Sequence, residues 1–261
     1  MTRSIPPGLS GILETLELEQ MQIVTTEYLD QLVARENLRT PTRKIASRLK
    51  ERGWLLPTGQ RGVWEFSPAA IAGPYSSGSR TTLLAAALSR NKLDCGLTFQ
   101  AAAWARGIAD RAPTRLEVAA ATATVREKLP KGLNVSVFKP RLAYGQVKGV
   151  PTLAVESVLI HMVTRPSAVR SWESALEWLP GLAAEAQWDA LENELEGRPR
   201  TVEARLGYLL QALRPDISER ASPAKTKTWF GPRAKLLRHD NRWMVADTLL
   251  PFDPRTLGSA R

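Results

Sequence analysis

Apolar residues recur at helical spacing in consecutive segments at the start of the chain. Residues 8–20 carry the first set of apolar positions, which are Leu9, Ile12, Leu13 and Leu16. A second set follows Thr25 or Thr26, either of which can cap a helix, and it consists of Tyr28, Leu29, Leu32 and Val33. The pattern therefore predicts two short amphipathic helices ahead of a third.

The third predicted helix lies between Thr40 and Gly53. Thr40 is a capping residue, Pro41 suits the first helical position, and Gly53 suits the left-handed residue that ends a helix. At about 100° per residue, Ile45 and Leu49 share one face of this helix. The opposite face is polar and cationic and consists of Arg43, Ser47 and Lys50, flanked by Lys44 and Arg48. One face is expected to pack against the protein, and the other to meet a partner.

A predicted strand pair follows this helix. Residues 54–56 and 63–66 have the composition of strands, and residues 57–62 form a turn between them. Three helices followed by a hairpin are the winged helix-turn-helix order, in which the third helix enters the DNA major groove and the hairpin tip contacts the backbone or minor groove. The side chains that this geometry directs at double-stranded DNA are Arg43, Lys44, Ser47, Arg48 and Lys50 of the helix, with Gln60 and Arg61 of the tip.

The distribution of charge supports a nucleic-acid partner. The chain has 261 residues and a formal net charge of +10, and residues 39–61 hold seven basic side chains against a single acidic one. An excess of basic residues favours an anionic partner, and part of this excess lies on a helix of a size that fits the DNA major groove. The same pattern also fits a small helical domain with a solvated face or a protein–protein adaptor, so these alternatives stay open.

Residues 67–79 are rich in small residues, proline and glycine, and they separate the hairpin from the rest of the chain. This composition predicts a domain boundary near residue 72. A winged helix-turn-helix domain would then cover residues 1–72, and a second domain would cover residues 73–261.

The second domain is predicted to be a small β-sheet covered by helices, which gives a mixed α/β fold overall. Strands are expected at residues 115–121 and 134–139, joined by a segment that can form a crossover helix, and around Pro151. Thr98 and Ser167 are expected to cap helices, and Pro180 to end one. The predicted helices cover residues 81–89, 98–107, 156–164, 167–180, 182–195 and 201–213.

The last forty residues, 222–261, alternate basic and aromatic side chains. Such a segment can grip a sugar-phosphate chain and stack on bases. It can equally be an edge strand whose aromatic side chains face a core and whose lysines face water. The alternation in residues 242–247 favours the packed strand.

Known catalytic patterns do not occur in the sequence. Only His161 and His239 could serve a histidine-based site, and His161 sits in an apolar run that indicates a buried position. Glu117 lies in a predicted strand as the acid of a metal-dependent nuclease would, but Ala119 stands where such a site has lysine. The carboxylates Glu185, Asp189, Glu192 and Glu196 have the spacing of a solvated helix face. We therefore predict no catalytic residue, cofactor or metal, and favour binding.

The compartment is predicted to be the cytoplasm. Residues 1–10 lack the apolar run of a signal peptide, and no window has the length and hydropathy of a membrane-spanning helix. A single cysteine, Cys95, leaves no internal disulfide and is expected to be a buried thiol.

Several strings of the chain resemble the AbiEi family of antitoxins, especially its mycobacterial and related actinobacterial forms. The first are GWLLP at residues 53–57 and RGVWEF at residues 61–66. The likeness continues at residues 97–104, 115–118, 149–157 and 161–166 and so covers most of the chain. None of these strings is a catalytic signature, so they identify a scaffold and not a reaction.

The resemblance implies a function as well as a fold. It implies an antitoxin of a type IV toxin–antitoxin system that is encoded beside a nucleotidyltransferase-like toxin of the AbiEii type. Members are thought to repress their own operon by binding repeats in its promoter, and to oppose the toxin without necessarily forming a tight complex with it. The DNA-reading role carries over to Thr42 together with the helix and wing residues that the geometry selects. The rival hypothesis is an enzymatic or toxin-modifying second domain that the winged helix delivers.

Overall fold

The computed structural model describes residues 4–19, 21, 23–58, 60–69, 81, 84–85, 87–88, 92–147 and 150–257. The chain divides into two compact units, and Asp94 begins the second. The predicted boundary near residue 72 lies outside the described residues. Of the predicted helix over residues 81–89, the described residues 84–85 and 87–88 are helical, and residues 82, 83, 86 and 89 lie outside the described residues.

The first unit is a winged helix-turn-helix domain, as the sequence predicts. Among the described residues from 4 to 69, the helices and strands follow the order α1 (Ser10–Leu18), β1 (Ile23–Thr25), α2 (Thr26–Arg35), α3 (Thr42–Glu51), β2 (Leu55–Pro57) and β3 (Val63–Phe66). The strands form an antiparallel sheet in the order β1-β3-β2. The apolar faces of the helices meet over this sheet, and the Trp54 and Phe66 rings stack with their centroids 6.4 Å apart.

Strand β1 was not predicted from the sequence. It consists of only three residues directly ahead of a helix cap, so it is too short to show an alternating pattern. Its partner is β3, where Val24 lies opposite Trp64. This strand therefore depends on a pairing about forty residues away, and it turns the predicted hairpin into a three-stranded sheet.

The helix boundaries confirm two predictions and correct one. The Thr25 hydroxyl accepts a hydrogen bond from the Tyr28 N–H at 3.2 Å, which selects Thr25 as the cap of α2. Gly53 has φ +73°, the left-handed conformation expected after α3. The prediction that Thr40 caps α3 is wrong. Pro41 has ψ 137° and stands outside the helix, so it takes the cap position without a side-chain hydrogen bond.

The second unit contains a five-stranded mixed sheet with the order β6-β5-β4-β8-β7. Its strands are β4 (Cys95–Leu97), β5 (Glu117–Ala120), β6 (Asn134–Val137), β7 (Gly145–Val147) and β8 (Val150–Thr152). The first helices of this unit are α4 (Phe99–Ala105) and α5 (Ala123–Lys128). Strands β5 and β6 are parallel and α5 lies between them in the chain, so the predicted crossover is confirmed.

Strand β4 is the central strand of this sheet, although no pattern in the sequence predicts it. Cys95, Gly96 and Leu97 form a short run with a glycine at its centre, which is a poor strand signal. Gly96 is needed because a Cβ there would lie 2.7 Å from the Tyr144 ring. The predicted strand around Pro151 is the antiparallel pair β7 and β8, with Pro151 inside β8.

Helices cover the sheet as predicted, but boundaries differ at the predicted helices over residues 167–180 and 182–195, the second of which begins only at Trp188 because residues 182–185 continue the helix before it. They are α6 (Val155–Thr164), α7 (Trp172–Glu185), α8 (Trp188–Leu195), α9 (Arg200–Leu210) and α10 (Pro215–Arg220). Ser171, and not Ser167, caps α7 by accepting the Ser174 N–H at 3.0 Å, while Ser167 lies in the 3-10 turn Pro166–Ala168. Pro180 lies inside α7 and does not end it. The buried side chains around it, Trp178, Leu179 and Leu182, hold the helix together across the missing hydrogen bond.

The basic C-terminal segment contributes a three-stranded sheet. Its strands are β9 (Thr228–Phe230), β10 (Arg238–Asp240) and β11 (Val245–Asp247), in the order β10-β11-β9. Phe230 and Trp243 are buried while Lys225 and Lys227 are exposed, which confirms the packed-strand interpretation. The expected edge position holds for β9, but it is wrong for β11 at residues 245–247, because β11 pairs on both sides.

Candidate nucleic-acid interface

The two faces of α3 divide as the helical period predicts. Ile45 and Leu49 are fully buried, and Ala46 beside them is buried as well. The side chains on the other side are exposed and include Arg43, Lys44, Ser47, Arg48 and Lys50, while Thr42 is half-buried at the start of the helix. The core contacts of the apolar face therefore hold the cationic face toward solvent.

Hydrogen bonds fix the tip of the wing, which is the hairpin formed by β2 and β3. The Gly62 carbonyl oxygen accepts the Thr26 N–H at 2.9 Å and the Thr26 hydroxyl at 3.1 Å, which ties the wing to the start of α2. The buried Thr58 hydroxyl donates to the Val63 carbonyl oxygen at 2.8 Å. These bonds hold the backbone on both sides of the exposed Arg61 side chain.

Helix α3 and the wing line one open groove with a volume of about 450 Å³. Five of the predicted DNA-contacting residues meet in this groove, namely Thr42, Arg43, Ser47, Lys50 and Arg61. The remaining lining residues are Thr26, Ala46, Gly62 and Trp64. Lys44 and Arg48 are exposed on α3 outside the lining, and Gln60 is half-buried outside it. The fold thus brings the wing cation Arg61, eleven or more residues away in sequence, beside the cations of the helix.

The groove carries positive charge that no acidic side chain among its described lining residues neutralises. Arg43, Lys50 and Arg61 make no ion pair with any residue that the structure describes, and none of the described lining residues is acidic. Ser47, which lines the groove, donates its hydroxyl proton to the Glu51 carboxylate at 3.1 Å. Unpaired cations beside a hydroxyl that can still accept are suited to an anionic, hydrogen-bonding partner.

The second unit places its reactive residue types in the core. Among the described residues no three His, Cys, Asp or Glu side chains stand close enough to hold a metal ion. Cys95 is buried, and burial raises the pKa of its thiol to about 11, so the thiolate is disfavoured, as expected of a structural thiol. The four carboxylates expected on a solvated helix face, Glu185, Asp189, Glu192 and Glu196, are all exposed.

His161 is a core residue, as its apolar neighbours predict. Its ring stacks on Phe138 at a centroid distance of 4.2 Å, and its two nitrogens lie 2.9 Å from the Thr98 hydroxyl and 3.0 Å from the Ser136 hydroxyl. Burial, together with the charges of Arg165 and Arg198, holds the pKa of His161 well below its ordinary value, so the imidazole is neutral. Thr98 stands at the N-cap position of α4, as predicted, but its side chain bonds the His161 ring and not a backbone N–H of the helix.

Sequence reasoning missed Glu194, which is fully buried among exposed acidic neighbours. Its carboxylate accepts the Arg141 N–H at 2.9 Å, the Leu142 N–H at 3.1 Å and the Ser157 hydroxyl at 2.8 Å, and it pairs with Arg198. The signal in the sequence was the position of Glu194 on the same helical face as Leu191, with Arg198 four residues further on. Glu194 therefore holds the segment after β6 against α6 and α8.

Glu117 is buried as well, and its titration leads to a prediction about stability. Burial raises the pKa of this carboxyl from 4.5 to about 7, although the Ala101 N–H and the charge of Arg170 favour the ionised form. The folded state therefore keeps a proton that the unfolded chain has lost. This contribution is complete below pH 4.5 and disappears as the pH rises through about 7.

We expect the wild-type free energy of unfolding to fall by about 2 kcal/mol more than that of Glu117→Gln between about pH 5 and pH 8. Urea unfolding of both proteins across this range measures the difference. Glu127→Gln, which changes an exposed residue of α5, should keep the wild-type dependence. Parallel curves for wild type and Glu117→Gln would show that Glu117 does not hold its proton in the folded state.

The fold and the groove together define the class of the protein: a winged helix-turn-helix module followed by a separate α/β domain. Residues 95–212 of that second domain match the family model described as the AbiEi antitoxin C-terminal domain. This match confirms the resemblance to AbiEi antitoxins over residues 95–212 and supports an antitoxin role for the second domain.

A solved structure extends the comparison to nearly the whole chain. The crystal structure of the RV2827C protein from Mycobacterium tuberculosis is similar with a TM-score of 0.74 and 23% sequence identity, over 95% of this chain and 94% of that one. At this identity the likeness shows the fold alone. A comparison with curated proteins finds no match. None of the helices among the described residues is both long and apolar enough to cross a membrane.

Proposed function

We propose that the protein is a cytoplasmic, DNA-binding transcriptional autorepressor and the antitoxin of its operon. The observation that supports the DNA-binding part is the groove in which Arg43 and Lys50 of α3 meet Arg61 of the wing without acidic partners. A winged helix reads double-stranded DNA with these two elements. The match of residues 95–212 to the AbiEi antitoxin C-terminal domain supports the antitoxin part.

The dimensions of α3 suit the major groove. Its ten residues span about 15 Å, and an α-helix with its side chains is about 10–12 Å wide, which matches the width of the major groove. Arg43 and Ser47 lie one turn apart on the exposed face and are the residues that would read base edges. Lys44, Arg48, Lys50 and Arg61 would mainly neutralise phosphates, with Thr42 and Gln60 as neutral contacts at the helix start and wing.

The antitoxin part concerns a partner of the AbiEii type. We infer that the toxin is a nucleotidyltransferase-like protein encoded in the same operon, and that repeats in the promoter are the DNA target. The proposal does not require a stable antitoxin–toxin complex. The rival, a toxin-modifying enzyme in the second domain, has less support, because the buried positions of Cys95, Glu117 and His161 remove the most reactive residue types from solvent.

Fluorescence-anisotropy titration of the full chain tests the DNA-binding part. The two duplexes are the promoter upstream of the protein's own gene and a scrambled version of equal length and composition, each at three salt concentrations. We expect the promoter to bind about a thousandfold more tightly than the scrambled duplex, with a steep dependence on salt for both.

Two outcomes would contradict sequence-specific repression. Salt-dependent binding without preference would mean that α3 contacts only the backbone. Absence of salt-sensitive binding would favour the use of the winged helix as a protein–protein adaptor, and would move attention to the second domain.

A further inference from the structure

A second basic cavity lies within the second unit, built from segments far apart in sequence. It has a volume of about 460 Å³, and its lining comes from the end of α6, the turn that follows it, α9 and β9. The side chains that give it its chemistry are Arg165, Ser167, Arg205 and Trp229. None of its described lining residues is acidic. The proposed DNA contacts of the first unit do not involve this cavity, which we call the α6–β9 pocket.

Arg205 supplies a half-buried cation to the pocket. Its guanidinium donates to the Val163 carbonyl oxygen at 3.2 Å and to the Thr228 hydroxyl at 3.1 Å, so its position is fixed by neutral groups. Its buried Nε finds no hydrogen-bond partner among the described residues, and no described carboxylate pairs with it. Burial lowers the pKa of Arg205, and since arginine stays protonated at neutral pH, the charge remains uncompensated. A rigid, unpaired guanidinium of this kind is suited to an anion.

Three further groups on the rim extend this chemistry. The exposed Arg165 side chain and the Ser167 hydroxyl make no hydrogen bond with any described residue, so both can turn toward a ligand. Trp229 is half-buried in the lining, and the Lys227 ammonium stands 4.9 Å from its ring centroid. The pocket therefore combines two arginines, a hydroxyl and an aromatic surface with a nearby lysine.

We propose that the α6–β9 pocket binds a nucleoside phosphate. Arg165 and Arg205 hold the phosphate, since guanidinium groups bind phosphate oxygens with paired, charge-assisted hydrogen bonds. Trp229 contacts the nucleoside, and the cavity has the volume of a small-ligand site. The ligand is either a free nucleotide or the 5′-phosphorylated end of a nucleic-acid strand, because both present the same group.

The test is a titration of the full chain with the fluorescent nucleotide methylanthraniloyl-ATP. We expect saturable binding that Arg165→Ala weakens about tenfold or more, because it removes a charge-assisted contact to phosphate. The exposed Arg165 side chain makes no hydrogen bond with the described residues, and its backbone bonds are kept in the variant, so we expect Arg165→Ala to fold. Arg115→Ala, which removes an exposed arginine of the same unit outside the pocket, should bind within about twofold of wild type. The Arg43→Ala/Arg61→Ala variant should bind normally, which separates this site from the groove.

Competition identifies the source of the phosphate. ATP displacing the probe at lower concentration than a 5′-phosphorylated oligonucleotide indicates a free nucleotide, and the reverse order indicates a strand end. If adenosine displaces the probe as effectively as ATP, and a 5′-hydroxyl oligonucleotide as effectively as a 5′-phosphorylated one, the proposal is overturned, because the phosphate would then not matter. Absence of saturable binding, or equal affinities of wild type and Arg165→Ala, would overturn it as well.

Discussion

The double variant Arg43→Ala/Arg61→Ala is expected to bind the protein's own promoter at least about a hundredfold more weakly than wild type. It removes one cation from α3 and one from the wing, the two elements that line the groove. A bidentate arginine–guanine contact contributes about 1 to 3 kcal/mol of discrimination, and each lost phosphate contact lowers the salt slope by about one unit. Anisotropy titration at several salt concentrations measures both quantities.

Single variants separate the two roles within the groove. Arg43→Ala should weaken promoter binding more than binding to the scrambled duplex, because a base contact is lost. Lys50→Ala should weaken both duplexes alike and lower the salt slope by about one unit. Equal losses on the two duplexes for Arg43→Ala would exclude a base-reading role for this residue.

The matched control for the double variant is Arg111→Ala/Arg115→Ala, which removes the same charge from exposed positions of the second unit. If this control loses as much affinity as Arg43→Ala/Arg61→Ala, then net charge explains the binding and the groove does not.

Glu194→Gln is expected to lower the free energy of unfolding by about 3 to 5 kcal/mol. Glu194 is fully buried and Arg198 is mostly buried, so the variant leaves the guanidinium without its counter-charge. The amide also replaces one of the two acceptor oxygens, while three donors, from Arg141, Leu142 and Ser157, converge on one of the carboxylate oxygens. Urea unfolding followed by tryptophan fluorescence measures the loss.

Glu192→Gln is the control for this prediction. It makes the same chemical change two residues earlier on α8, at an exposed position, and should alter stability by less than about 0.5 kcal/mol. Matching unfolding midpoints for the two variants would show that the buried pair does not stabilise the second unit.

The helical periodicity of the sequence predicts much of the structure of the first unit. The positions of Ile45 and Leu49 relative to Arg43 and Lys50 follow from the geometry of a single helix, so the packed and cationic faces of α3 were predictable. Gly53 marked the end of that helix by its own conformational preference. Strand β1 was not predictable, because three residues carry no period and their pairing with β3 is a long-range contact.

The two candidate sites also combine features that local sequence predicts with features that depend on long-range contacts. That Arg43 and Lys50 project together is a property of local sequence, but that Arg61 joins them depends on the Thr26 and Thr58 hydrogen bonds that fix the wing. No pattern in the sequence predicts the α6–β9 pocket, because Arg165, Arg205 and Trp229 come from three separate segments.

Patterns of neighbouring residues were enough to predict the winged-helix order, the cationic face of α3, the crossover in the second sheet and the resemblance to AbiEi antitoxins. The three-dimensional fold was needed to establish that β4 is central, that Pro180 lies within a helix, and that Glu194 is buried while the acidic residues around it are exposed. Strand pairing and burial depend on contacts between distant segments, and the same residue type takes opposite roles according to what packs against it.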